Sequence, residues 1–270
     1  MHRQFGKEGL RDNKMNYKLS ICLPAHRIHL WEQFYNSAAE SIGNEHSWEL
    51  ILVGPHDPPL FFKDKRNFKF VKDYGTPTRC AQMATSIAEG ELMMWGSDDG
   101  IYTPGSIKEC IEMHDSLPYK DVVAIRYTEG RNYKGAPMHD AYWMAHHHPT
   151  LRVCPPHFRI VLLGMFKLKY FRELGGWDCR FEHLNMNCHD LAFRVQHDGG
   201  TIHMSPNIVS NHDWNPNEGD HIPVQEAYDQ NDLALFNKLY GSDQSERIKI
   251  DYFNWTNSPR VWTRRFGEVE

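Results

Sequence analysis

The sequence predicts an α/β fold: a mostly parallel, Rossmann-like central sheet flanked by helices, in one domain with a C-terminal helical extension. Two observations carry that expectation. Short apolar runs alternate along the chain with segments of helical spacing, the order expected when crossover helices join the strands of a sheet. One of those runs, Leu92 to Trp95, breaks off at Gly96-Ser97-Asp98-Asp99-Gly100. That puts two adjacent carboxylates at the carboxyl end of a central strand, where open α/β sheets hold their ligands. A length of 270 residues suits one large domain of this class or two small ones, and buries a sizeable core.

Residues 1–16 are polar and charged, without a signal-peptide core, and read as a flexible leader. Tyr17 to Pro24 is the first strand, stopped by its proline. Ala25 to Ile42 is a loop and helix, with Leu30, Phe34, Ala38 and Ile42 at helical spacing. Trp48 to Val53 is a second strand, broken by Gly54-Pro55, and Phe68 to Val71 a short third. Pro77 to Glu89 fits a helix with Gly90 as its C-terminal stop. After the Leu92 strand, Ser106 to Ser116 is a helix and Asp121 to Tyr127 a strand. Thr128 to Pro156 is long, polar and aromatic without periodicity, as functional loops are. Ile160 to Met165 is apolar, Leu168 to Leu174 is helical up to Gly175-Gly176, and His189 to His197 is a further helix. Thr201 to Met204 is the final strand, and Val224 to Leu239 the last helix, before a charged, aromatic tail. Domain boundaries are accordingly expected at 17–210, divided into halves 17–104 and 105–210, with 211–270 as C-terminal helix and tail.

Composition narrows the function. A net charge of −5 and a pI near 6.4 argue against a nucleic-acid carrier. A mean hydropathy of −0.63, with no apolar run near the ~20 residues of a membrane span, argues against a transmembrane chain. Six scattered cysteines without a CxxC pair argue against zinc-ribbon and redox centres and fit a reduced, cytoplasmic protein. The run His146-His147-His148 reads as an exposed loop rather than a metal site, and the chain lacks the HExxH of a metallohydrolase. The Asp98-Asp99 pair points to a different chemistry. Two carboxylates at one strand end repel each other and are costly to desolvate. A divalent cation bridging them to a phosphate removes that cost, and hard oxygen ligands suit Mg²⁺ or Mn²⁺. Taken alone, the pair is equally compatible with a solvated turn.

Five motifs in sequence resemble the large family 2 of glycosyltransferases, which have the GT-A fold and transfer sugars from nucleotide-sugar donors. Leu19-Ser20-Ile21-Cys22-Leu23-Pro24-Ala25 resembles the family's opening strand SIIIPTYN, and Ala88-Glu89-Gly90-Glu91 its A-x-G-E. Gly96-Ser97-Asp98-Asp99-Gly100-Ile101-Tyr102-Thr103-Pro104 resembles TDDNIYMP, Gly175-Gly176-Trp177-Asp178 resembles GGFD, and Cys188-His189-Asp190-Leu191-Ala192-Phe193-Arg194 resembles a D-x-x-x-x-R segment. The likeness spans about Tyr17 to Met204.

The resemblance implies a hexosyltransferase-like enzyme that moves a sugar from a UDP-, GDP- or dTDP-sugar to a hydroxyl acceptor, with Mn²⁺ or Mg²⁺ neutralising the departing diphosphate. Asp99 would hold the metal, and Asp98 would lie near the ribose or the metal's water shell. Asp190 would be the base that takes the acceptor proton, with Glu182, in the same loop region, as runner-up. A helix N-cap role is the competing reading of Asp190. Pro24, Ala25 and Arg27 after the first strand would line the nucleotide site, Arg79 would reach a phosphate, and a late histidine, His212 or else His221, would return to the metal. The chain departs from the family after its second strand. Gly54-Pro55 stand where an acid usually meets the nucleoside, leaving Asp57 as the substitute. Acceptor specificity is expected in Thr128 to His157. A retaining transferase and a catalytically silent sugar- or nucleotide-binding module are the alternatives to an inverting enzyme.

Overall fold

The computed structural model describes residues 17–129, 139–141, 159–212, 222–240 and 247–251. Its strands are β1 (Tyr17–Pro24), β2 (Trp48–Gly54), β3 (Phe68–Lys72), β4 (Gly90–Trp95), β5 (Ile101–Tyr102), β6 (Val122–Glu129), β7 (His139–Ala141), β8 (Gly164–Lys167) and β9 (Ile202–His212). The helices are α1 (Trp31–Ile42), α2 (Pro77–Ile87), α3 (Ser106–Asp115), α4 (Leu168–Glu173), α5 (Leu184–His197), α6 (Ile222–Ala227) and α7 (Leu233–Tyr240). A π-turn, Tyr228–Asp232, joins the last two. The leader, the His146–His148 run, most of the Thr128–His157 loop, His221 and the tail beyond Asp251 lie outside the described residues.

The strands form one sheet in the order β3-β2-β1-β4-β8-β6-β9-β5, with β7 on β6. Its N-terminal half, β3-β2-β1-β4, is parallel, as the alternation of strands and helices predicts. Beyond β4 the sheet is mixed: β8 is antiparallel to both β4 and β6, while β6 and β9 run parallel. Successive side chains of each strand feed two different cores. Cys22, Ile51, Val53, Met93 and Trp95 pack with α2, α4 and α5, and Leu19, Ile21, Leu50, Leu52 and Met94 pack with α1 and α3. Covering on both faces explains why these strands are mostly apolar.

Three elements differ from their sequence reading. Gly90 does not cap α2, which ends at Ile87; it opens β4, paired with Tyr17. Helix α5 begins at Leu184, five residues before His189, and its cap is the His183 ring, which accepts the Asn185 N–H at 3.2 Å. Strand β9 runs on past Met204 to His212. Pro206 reads as a strand stop, but the register against β6 shifts between Ala124 and Arg126, so the proline falls at an irregularity where no ladder donor is needed.

Strand direction places the site. Through β8 and β6, β9 runs the same way as β4, so the carboxyl ends of β1, β2, β4 and β9 open on one edge of the sheet. Residues 25–27, 55–57, 96–100 and 212 therefore share that edge.

Candidate functional site

Asp99 and His212, 113 residues apart in the chain, meet at this edge, with Asp99 Oδ1 3.4 Å from His212 Nδ1. The short β5 pairs with β9 at Ile101–Asn211 and Tyr102–Ser210, which brings the turn after β4 against the end of β9. The imidazole is oriented from behind: Nε2 lies 2.9 Å from Ser210 Oγ, and the Tyr127 ring stands edge-on at 5.4 Å between centroids. Gly100 allows the approach, since a Cβ there would stand 2.9 Å from His212 Cε1. Both side chains are buried, at 7% and 5% exposure. Burial alone would raise the Asp99 carboxyl, but the hydrogen bond and charge of His212, the nearby Arg27 and the Ser97 side chain outweigh it and hold the group well below the usual carboxylate range. The site thus presents an anionic oxygen and an imidazole nitrogen side by side.

With His212 neutral and its Nδ1 unprotonated, these two side chains could hold a divalent cation in place of the hydrogen bond between them. Adjacent ligands on an octahedral ion with bonds of about 2.1 Å stand roughly 3 Å apart, close to the spacing of the two atoms. Among the described residues no group of three His, Cys, Asp or Glu side chains is suited to a metal. A cation held by Asp99 and His212 would take its other ligands from phosphate oxygens and water, the usual arrangement for Mg²⁺ at phosphate sites.

Asp98, expected near the ribose or the metal's water shell, is bound on its protein side by the loop after β1. Its Oδ2 accepts the backbone N–H of His26 at 2.7 Å and of Arg27 at 2.6 Å, and the Trp31 indole N–H at 3.2 Å; its Oδ1 accepts Arg27 Nη1 at 2.7 Å. Four donors surround the carboxylate, three of them on Oδ2 and one on Oδ1. Asp98 ties the loop after β1 to the turn after β4. Arg27 serves both acids, since the same Nη1 stands 3.9 Å from Asp99 Oδ1. Pro24 ends β1 opposite Val53, and Ala25 N donates to Val53 O at 2.9 Å, so both belong to the floor of this edge.

The remaining nucleotide-site candidates are engaged elsewhere. Asp57 is exposed and binds Lys72 Nζ through both oxygens at 3.0 and 2.9 Å. Arg79, in the first turn of α2, makes a two-point contact with Asp73 at 3.0 and 2.9 Å. Sequence reasoning missed His26 and His56, from the loops after β1 and β2, whose Nδ1 and Nε2 lie 3.2 Å apart. Histidines in Pro-flanked loops carry no distinguishing pattern; only the strand register brings these two together.

Asp190, expected as the base, is enclosed in the interior. It sits well inside α5, not at its start, and has no solvent exposure. Its Oδ2 accepts Arg194 Nε at 2.8 Å and its Oδ1 the Tyr240 hydroxyl at 2.6 Å, with Arg247 Nε at 3.2 Å. Arg194 in turn donates to Leu174 O at 2.9 Å and Gly176 O at 2.6 Å. Those carbonyls flank the Gly175-Gly176 turn, where both glycines have positive φ, 94° and 67°. The glycine pair and the Asp190–Arg194 pair are therefore parts of one buried scaffold. Asp178, next in that turn, binds Arg180 and Arg247. Burial would raise its carboxyl, but the two guanidiniums hold it at about 2.

Glu182 is the runner-up base. It lies between α4 and α5 at 8% exposure, and its carbonyl accepts the Thr78 N–H at 3.5 Å. Thr78 stands in the first turn of α2, so the Glu182 loop is docked at the ligand edge of the sheet.

No protein-family profile matches the chain, and no curated protein does. Solved structures do. S. aureus TarS 1-349 in complex with UDP-GlcNAc is 14% identical with a TM-score of 0.56, over 88% of this chain and 72% of that one. The same fragment in complex with UDP gives 14% and 0.54, over 88% and 71%. A longer S. aureus TarS structure gives 14% and 0.53, over 85% of this chain and 41% of that one. At this identity the likeness shows the fold alone: a Rossmann-like α/β sheet flanked by helices.

Proposed function

We propose that the chain is a glycosyltransferase that moves a sugar from a nucleoside-diphosphate sugar to an acceptor hydroxyl, with divalent-metal dependence and inversion at the anomeric carbon. The observation that carries this reading is the Asp99–His212 pair at the carboxyl edge of the sheet. The TarS structures in complex with UDP and UDP-GlcNAc support UDP as the nucleotide to test first. Residues 17–210 would form the transferase domain and 211–270 its C-terminal extension, in a cytoplasmic protein; among the described residues no helix is long and apolar enough to cross a membrane.

In this reading Asp99 and His212 would hold Mn²⁺ or Mg²⁺, which would supply positive charge to stabilise the leaving diphosphate. Arg27 adds positive charge beside Asp99, and Asp98 fixes the loop after β1 under the nucleotide. With Asp190 locked in the interior, Glu182 takes the acceptor proton. The hydroxyl oxygen then bonds to the anomeric carbon while that carbon's bond to the diphosphate oxygen breaks. The burial of Asp190 also favours a second reading, a retaining transferase that needs no such base, and product stereochemistry by NMR separates the two. Thermal shift against UDP, GDP, dTDP and CMP, with and without Mn²⁺, tests the donor class. Stabilisation by one nucleoside diphosphate that depends on Mn²⁺ is expected. Metal-independent or absent stabilisation by all four contradicts the reading.

A further inference from the structure

The C-terminal helices grip the Glu182 loop through one carboxylate. Asp232 has no solvent exposure. Its Oδ1 accepts the backbone N–H of Glu182 at 2.8 Å, and its Oδ2 that of His183 at 2.9 Å. Asn231 adds a bond from Nδ2 to Arg180 O at 3.2 Å. Asp232 closes the π-turn, an irregularity that inserts one residue into a helix and recurs at functional sites. The insertion sets the phase of α7. Asp232, Phe236 and Tyr240 then fall four residues apart on one buried face. Phe236 packs against His189 and Phe193, and the Tyr240 hydroxyl donates to Asp190. One helix therefore holds α5 at two points and the loop before it at a third. The Glu182 backbone is fixed from both sides, its N–H by Asp232 and its carbonyl by Thr78.

We propose that Asp232 is a positioning residue for the transfer reaction: by clamping the amides of Glu182 and His183 it aims the Glu182 carboxylate at the acceptor hydroxyl. The inference rests on the reading of Glu182 as the base. A carboxylate that only capped α5 would contribute to stability and leave turnover untouched. A positioning carboxylate acts on kcat, because a reacting group displaced by even an ångström loses much of its rate.

The test uses the full chain and release of UDP from UDP-GlcNAc in Mn²⁺, with water as the hydroxyl acceptor of the sugar and Tm followed in parallel, for wild type, D232N, D232E, E182Q and E182Q/D232N. D232E keeps charge and cap but pushes the loop by one methylene, so it remains informative where D232N folds poorly. Both single Asp232 variants are expected to lower kcat at least tenfold with KM for UDP-GlcNAc within twofold of wild type. D232N is expected to add no further loss to E182Q, since it acts through that residue. Wild-type kcat in D232E with a normal Tm, or losses that multiply in the double variant, would overturn the proposal. Wild-type kcat in E182Q would overturn the base reading itself, a result that the Asp232 variants cannot mimic.

Discussion

Two carboxylates that look alike in sequence, Asp99 and Asp190, end in opposite environments, and their surroundings decide what each can do. Asp99 faces the sheet edge beside one imidazole. Asp190 is sealed among Arg194, Arg247 and Tyr240. Breaking a buried ion pair by removing one partner typically destabilises by about 3–5 kcal/mol. D190N is therefore expected to lose stability of that order in urea unfolding at neutral pH; a fully stable D190N with abolished turnover would restore Asp190 as the base. A second buried group sets a pH response. His114, in the last turn of α3, has no solvent exposure, and burial, with the charge of Lys167, lowers its pKa to about 4. The unfolded chain binds this proton near pH 6.5, the folded chain only near 4, so the stability it contributes is full above 6.5 and falls as pH drops toward 4. Between pH 7 and 5 that amounts to about 2 kcal/mol. H114L is expected to flatten this part of the stability–pH curve, and an unchanged slope would show that other groups produce it.

At the scale of elements, the parallel strands and α1 to α3 were legible because each apolar run or helical spacing is a local property, satisfied by burial on both faces. What escaped was set by distant partners. Strand β5 exists only through its pairing with β9, and β9 passes Pro206 only because β6 shifts register there. The start of α5 depends on the His183 ring and on Asp232, neither visible as a local cap. The turn from β4 to β5 is the most sensitive of these connections, because Gly100 stands against the His212 ring. G100A must displace that ring by a few tenths of an ångström. It is expected to weaken Mn²⁺-dependent UDP binding about tenfold, equivalent to about 1.4 kcal/mol, with a smaller effect on metal-free binding. Calorimetry on the variant checks this, and wild-type affinity in Mn²⁺ would show that the ring's position does not matter.

For the molecule as a whole, the sequence order of motifs carried the fold, while the site was legible only in part. Asp99 and His212 were both identifiable, one as an acid after a strand and the other as a late histidine, yet only the direction of β9 relative to β4 shows that they meet. The donors that surround Asp98 and Asp190 were not legible, because an acid type at a motif position says nothing about its neighbours. The His26–His56 pair and Asp232 were missed because their partners come from other elements. The central claim is that one cation site, made of Asp99 and His212, binds a nucleoside diphosphate at the carboxyl edge of the sheet. Titration calorimetry of UDP into wild type, D99A and H212A, each with and without Mn²⁺, tests it most directly. The account predicts that Mn²⁺ strengthens UDP binding at least tenfold in wild type and that both variants, still folded, lose this enhancement. Equal enhancement by Mn²⁺ in all three proteins would contradict it.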